Sequence, residues 1–437
     1  MLGSGLIFVG TPDFAGKVRG KAFPTGDRNK REFRGVGWTP TNVQITCFDT
    51  IADSPFGSFG DLLLRPDIST EVKVDFEDGR LAEHFMLGDI IDLDGQAWNL
   101  CTRNCLREAL ARLKDLSGLQ LKAAFEHEFQ IKQAPGNTGE AYGFRYFSAE
   151  RQLGDTLMAA LEMAGLTPDT FMKEYGADQF EITIGPEKNL RAADAAVIVR
   201  ELTRMTAARL DNRASFTPIR DPDGVGNGVH IHMSFLDDDG HPAAYDEASP
   251  TGLSAAAASF VAGILKYLPV LVAFTAPSVI SYQRLTPHRW SAAFNNLGDK
   301  DREAAVRICP VISFETESRA RQFNFEYRAA DSAASPHLAL AALVNAGVQG
   351  IRDKLPAPTA TSEDLSLLSG QELEERGYQR LPQSLGEALE ILEQSEAAKQ
   401  WFGDEFVSVY LAHKRAEIDH VAEMTLEEQC QLYDGVY

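Results

Sequence analysis

The stretch AAFEHEFQI, residues 123–131, alternates apolar and polar side chains. Successive side chains of a strand point to opposite faces, so Ala123, Phe125, His127 and Phe129 share one face and Glu126, Glu128 and Gln130 the other. Two carboxylates project together above an apolar underside.

The pattern recurs three times. In DQFEITIG, Phe180, Ile182 and Ile184 lie below, and Gln179, Glu181 and Thr183 above. In GVHIHMSF, Val229, Ile231, Met233 and Phe235 back a front of His230, His232 and Ser234. In QFNFEYRA, Phe323, Phe325 and Tyr327 alternate with Asn324, Glu326 and Arg328. One such strand is what any half-exposed sheet shows toward water. Four fronts bearing carboxylates, imidazoles and an arginine are better explained by one shared site. Carboxylate oxygens with imidazole nitrogens suit Mg²⁺ or Mn²⁺, and the absence of clustered thiolates argues against structural zinc. Arg284, Arg289, Arg302 and Arg307 follow in a loop-rich segment, with Arg328 after them. Guanidinium groups beside divalent cations imply phosphate handling.

At 437 residues the chain exceeds a usual single core, and 44% apolar with 24% charged residues places it among folded globular proteins. A net charge of −21 repels nucleic acid and anionic lipid, excluding them as general partners. Cys47, Cys101, Cys105, Cys309 and Cys430 are scattered and odd in number, which with a start lacking a basic, apolar leader predicts a reduced, cytoplasmic setting. No uninterrupted 18-residue apolar run predicts a membrane span.

Residues 5–78 read as short strands separated by turns: GLIFV, then the basic RGKAFPTGDRNKREFRG, then NVQITCFDTIA, DLLLRPD and EVKVDFED. Helical spacing begins in NCLREALARLKDL, so a domain boundary is expected near residue 97. Further helices are expected at 150–165, 190–210, 252–272, 336–353 and 384–397, and 355–383 reads as loop.

Taken in order, GKVRGKAFP, GDLLLRPDIST, EHEF, EYGADQFE, GNGVHIHMS, SYQRL, DREAAVR and EYRAADSAASPHLALAAL resemble the glutamine synthetase family over nearly the whole chain. The resemblance implies an α+β protein: a beta-grasp domain at 1–97, and a catalytic domain at 98–437 with a curved antiparallel sheet flanked by helices. It implies a ring-shaped homo-oligomer, a dodecamer of two hexamers, with active sites between subunits that bind ATP, glutamate and two to three Mg²⁺ or Mn²⁺ ions. Carried over by position, Glu128, Glu174 and Glu181 hold one metal, and Glu126, His230 and Glu326 another. His232, Ser234, Arg307 and Arg321 meet ATP. Gly226, Arg284, Arg302 and Arg328 meet glutamate, with Glu174 close by, and Arg302 and Arg307 stabilise the transferring phosphate. Asp49, lent by a neighbouring subunit, and Trp290, on the flap TPHRWSAAF, complete the catalytic set.

Trp290 stands where ammonia-using members carry a flap glutamate that encloses ammonium. An indole lines a pocket for an alkyl or aryl amine and attracts a cation through its π face, which favours a glutamate–amine ligase. Plain glutamine synthesis and a non-catalytic regulator are the alternatives. Val225, where such enzymes often have an asparagine touching glutamate, leaves the acyl donor open. A ligase with a Gly-rich phosphate loop is disfavoured, since DPDGVGNGVH leads into a strand.

Overall fold

The computed structural model describes residues 5–132, 141–312 and 314–437. Its N-terminal sheet contains β1 (Leu6–Pro12), β2 (Val18–Pro24), β3 (Val36–Trp38), β4 (Leu62–Pro66), β5 (Val72–Val74) and β6 (Glu83–Ile91). Their order is β2-β1-β6-β4-β3, with β5 also on β6. β1 and β6 run parallel and the other pairs antiparallel.

Two expectations for this region are corrected. The basic segment carries a helix, Arg28–Arg34, none of whose residues is buried, so it has no apolar stripe to announce it. NVQITCFDTIA forms a 3₁₀ turn, Pro40–Gln44, followed by a tight reversal bridged at Ile45 and Ile51. Asp49 sits in that reversal with φ 59°, a left-handed conformation that aspartate tolerates better than most residues.

The larger sheet contains β7 (Gln120–Ile131), β8 (Pro168–Lys173), β9 (Gln179–Ile184), β10 (Glu187–Lys188), β11 (Ala214–Ser215), β12 (Gly228–Leu236), β13 (Leu297–Asp299), β14 (Val306–Ile308), β15 (Phe325–Asp331) and β16 (Ala360–Thr361). The order is β16-β13-β14-β15-β12-β7-β9-β8, with β10 and β11 also pairing β7. The four alternating strands of the sequence are therefore consecutive neighbours: β15, β12, β7 and β9. The sheet is antiparallel except at one edge, where β13 pairs parallel with β14 and β16.

The apolar backs are buried as the alternation requires. Phe125, Ile231, Met233, Phe235, Phe325 and Tyr327 join one core with helices Ala255–Thr275 and Pro336–Arg352. Phe129, Phe180 and Ile182 join another with helices Arg151–Met163 and Leu190–Arg209. Each such side chain contributes roughly 1.5–3 kcal/mol of transfer free energy. Helix Ala255–Thr275 is long and apolar enough by length and composition to cross a membrane, although Lys266 interrupts it. It is instead the central core helix. It meets Pro336–Arg352 at Gly263 and Gly350, where a Cβ on either glycine would lie under 3 Å from the other's Cα.

The expected 384–397 helix is two helices, Leu385–Gln394 and Glu396–Phe402, divided at Ser395, whose hydroxyl caps the second. Asp404–Val421 and Leu426–Val436 follow, unanticipated by the sequence reading. The segment 355–383, read as loop, holds the short helix Gly370–Glu375. Arg103, fully buried on helix Thr102–Ser117, ties the N-terminal domain to helix Leu190–Arg209. It meets Asp89 at 2.6 Å and Asp67 at 2.9 Å on one side, and Asp194 at 2.9 Å on the other.

Candidate active site

Strand register converts the alternation into a row of facing charges. Glu128 on β7 lies opposite Glu181 on β9. Glu126 lies opposite His230 on β12. His232 lies opposite Glu326 on β15, which in turn lies opposite Arg307 on β14. A bulge between Val229 and Ile231 in the β12–β15 pairing adjusts the register there.

These fronts floor a cavity of about 700 Å³. Glu126, Glu128, Glu174, Glu181, His230 and Glu326, the six expected metal ligands, all line it. So do Gly226, Arg284, Trp290, Arg302, Arg307 and Arg328. A smaller cavity of about 220 Å³ is lined by His232, Ser234 and Arg321, and Glu126 borders both. Asp49 borders neither: it is exposed on the N-terminal domain, 2.9 Å from Arg19.

Burial and like charge govern the carboxylates. Desolvation, with Glu126, Glu128 and Glu174 nearby, pushes Glu181 up to about 9. Desolvation raises Glu128 to about 7, although its Oε2 accepts from the backbone N–H of Gly228 at 2.7 Å. A cation bound among these carboxylates would relieve their mutual repulsion. Donor atoms of Glu126, Glu181 and His230 lie within 4.8 Å of one another, a set that crosses the two expected triads. The oxygen and imidazole donors fit Mg²⁺ or Mn²⁺.

His232 Nε2 is 3.0 Å from both Glu126 Oε1 and Glu326 Oε2, while Nδ1 is 2.9 Å from Asn324 Oδ1. Its hydrogen bonds to Cys309, Glu126 and Glu326 outweigh desolvation and hold the imidazole well above its usual range. Glu326 also meets Arg307 Nε at 2.6 Å and Arg328 Nη1 at 2.8 Å.

Arg284 is buried, with Nη1 donating to Ser291 Oγ at 2.9 Å and Nη2 to the Ala330 carbonyl at 2.7 Å. Its Nε is buried and has no hydrogen-bond partner among the described residues. Trp290, at φ 53°, has its N–H bonded to Glu303 Oε1 and its carbonyl accepting from Arg328 Nη2 at 3.3 Å.

Four contributors were given no role by the sequence reading. Tyr142 donates to Glu174 Oε2 at 3.1 Å. The Tyr175 ring meets Trp290 edge to face at 4.7 Å. Glu303 fastens the flap backbone. Gln179 donates from Nε2 to Glu128 Oε2 at 3.1 Å and to the Gly226 carbonyl at 3.0 Å. Only Gln179 carried a signal, its place two residues before Glu181 on the polar face.

Comparison with known proteins agrees with this architecture. Residues 99–433 match the glutamine synthetase catalytic domain and 4–98 the glutamine synthetase N-terminal domain. A gamma-glutamylpolyamine synthetase of Streptomyces coelicolor is 33% identical over 94% of this chain and 88% of its own. A type-1 glutamine synthetase of Dictyostelium discoideum is 28% identical over 95% and 86%. Among solved structures, a novel glutamine synthase homolog superposes with a TM-score of 0.92 at 39% identity, covering 100% of this chain and 99% of the other. A GmaS–ADP complex shares the fold at TM-score 0.82 and 23% identity, covering 98% and 96%. The chain belongs to the glutamine synthetase family of ligases.

Proposed function

We propose that this protein joins the γ-carboxylate of glutamate to an organic amine, using ATP and passing through γ-glutamyl phosphate. The observation that carries this reading is the aromatic mouth of the cavity. Trp290 lines the cavity with the Glu174 carboxyl group and packs edge to face on Tyr175, both rings exposed, a surface suited to the carbon skeleton and charge of an alkyl or aryl ammonium. The 33% identity to a gamma-glutamylpolyamine synthetase supports the same reading.

In this scheme Arg284, which lines the cavity, holds the α-carboxylate of glutamate. Gly226 offers backbone beside it, and Arg328 steadies the side chain. ATP enters over His232, Ser234 and Arg321. Bound divalent ions, held by Glu128, Glu174 and Glu181 and by Glu126, His230 and Glu326, would neutralise the phosphates. The γ-carboxylate oxygen attacks the γ-phosphorus and ADP leaves, while Arg302 and Arg307 steady the transferring group. The amine nitrogen then attacks the acyl carbon, phosphate leaves, and the amine gives up a proton. Asp49 of a neighbouring copy in a ring-shaped dodecamer is the proposed acceptor. Five buried, unpaired cysteines suit a reducing, cytoplasmic setting.

Coupled ADP release with glutamate and Mg²⁺ or Mn²⁺, over ammonium, alkylamines, polyamines, ethanolamine and anilines, tests the reading. Higher kcat/KM with an organic amine than with ammonium is expected; best turnover with ammonium would return the protein to glutamine synthesis.

A further inference from the structure

Arg289 lies on the flap between His288 and Trp290, both of which hold positive φ. It lines the catalytic cavity, and its Nη1 donates to two main-chain carbonyls, Pro222 at 2.9 Å and Gly224 at 3.0 Å. Those carbonyls belong to the loop 216–227 that leads into β12. One nitrogen thus ties the flap to a segment 65 to 67 residues earlier in the chain.

The loop has a fastened base and a tip closed on itself. At the base, Gln179 Nε2 donates to the Gly226 carbonyl and to Asn227 Oδ1, each at 3.0 Å, and Asn227 Nδ2 donates to the Thr217 carbonyl at 2.8 Å. Gly226 packs so closely on Arg284 that a Cβ there would lie 2.7 Å from Arg284 Cγ. At the tip, the Gly224 N–H donates to the Asp221 carbonyl at 2.9 Å and the Asp223 N–H to Asp221 Oδ1 at 3.0 Å. The Arg289 bonds run from this turn to the flap. Val225 stands between tip and base and lines the cavity beside Gly226.

A continuous path therefore joins the two halves of the site. It runs from Trp290 to Arg289 along the flap, from Arg289 to the loop tip, through Val225 to Gly226, and from Gly226 to Arg284. Hydrogen bonds from a charged donor are stronger than neutral ones. A segment with positive φ at two non-glycine residues keeps its shape where the surroundings over-determine it. Arg289 supplies one such constraint through its side chain, and Glu303 another through the flap backbone.

Resting on the ligase reading, we infer that Arg289 is a positioning residue that couples the glutamate subsite to the amine wall. It sets the loop beside glutamate and the flap bearing Trp290 as one unit. Glutamate seated on the loop thereby strengthens the hold on the amine, and by linkage the amine strengthens the hold on glutamate.

Steady-state kinetics of the full-length protein test this, with KM measured for glutamate, butylamine and ATP in wild type, Arg289→Ala and Arg289→Lys. In Arg289→Ala the constants for glutamate and butylamine should each rise about tenfold, while that for ATP stays within about twofold. Lysine carries one nitrogen able to donate to both carbonyls, as Nη1 does, so Arg289→Lys should bring both constants back together to within about threefold of wild type. A rise for butylamine alone in Arg289→Ala overturns the coupling, and an equal rise for ATP overturns it in favour of general damage to the fold. Recovery of neither constant, or of one without the other, in Arg289→Lys also overturns it. Where Arg289→Ala fails to fold, Arg289→Gln takes its place under the same criteria. Wild-type turnover of ammonium and of no organic amine would overturn the ligase reading, and the same comparison with ammonium in place of butylamine would still decide the coupling.

Discussion

Glu303 holds Trp290 in place through the flap backbone: its Oε1 accepts from the Trp290 N–H at 3.2 Å, and its Oε2 from the His288 N–H at 3.0 Å. Both clamped residues have positive φ, at 53° and 63°. Non-glycine residues hold such conformations where the surroundings over-determine them. One carboxylate thereby fixes the wall of the proposed amine site.

Glu303→Ala should loosen that wall. Two exposed hydrogen bonds to the flap backbone are lost while the Arg328 contact to the Trp290 carbonyl survives, so kcat/KM for the amine should drop roughly tenfold. Water would then reach the acyl phosphate, and ADP released per amide formed should rise. Unchanged coupling, measured by ADP and amide in the same reaction, would remove Glu303 from this role.

Trp290→Glu should move the preference toward ammonium, because an added anion favours a small cation and removes apolar wall. The ratio of kcat/KM for ammonium to that for butylamine should increase about tenfold or more, which corresponds to about 1.4 kcal/mol. Glutamate adopts φ 53° no more easily than tryptophan, so Trp290→Gly serves as the strain-free comparison and should weaken amine binding without the gain for ammonium.

His230 and His232 share one strand face but are given separate roles. His230→Ala should raise the Mg²⁺ or Mn²⁺ concentration needed for half-maximal rate, with KM for ATP little altered at saturating metal. His232→Ala should mainly raise KM for ATP. His232 also separates Glu126 from Glu326, at 3.0 Å from each, so its loss should sharpen the dependence on metal as a secondary effect. Equal, silent behaviour of both variants in metal and ATP titrations would contradict the division.

Acid should destabilise the fold through His413. Burial holds this imidazole down at about 4, and its Nε2 lies 3.2 Å from the Ile45 carbonyl. The unfolded chain, with a value near 6.5, takes up the proton first. Stability is therefore whole above about pH 6.5 and falls as the pH drops toward 4, by up to ~1.4 kcal/mol per pH unit from this group. Urea midpoints of wild type and His413→Gln at pH 7 and 5 check this, and the variant should show the shallower loss.

Much of the site was legible because strands report their faces. Glu126, Glu128, Glu181, His230 and Glu326 stood on polar fronts by alternation alone. Which front faced which depended on register, and the bulge in β12–β15 has no sequence periodicity. Tyr142, Tyr175 and Glu303 lie outside strands and regular helices, where no period exists to read. Helix Arg28–Arg34 was missed because nothing on it is buried. The turn holding Asp49 was misread as strand because Val43, Cys47 and Ala52 pack inward from a reversal.

The central claim is the identity of the nitrogen donor, and direct competition tests it most closely. The protein is given glutamate, ATP, Mg²⁺ or Mn²⁺, and equal concentrations of ammonium and spermidine, and the products are resolved by mass spectrometry. γ-Glutamyl amide of the amine in excess over glutamine is the predicted result; glutamine as the main product would contradict it.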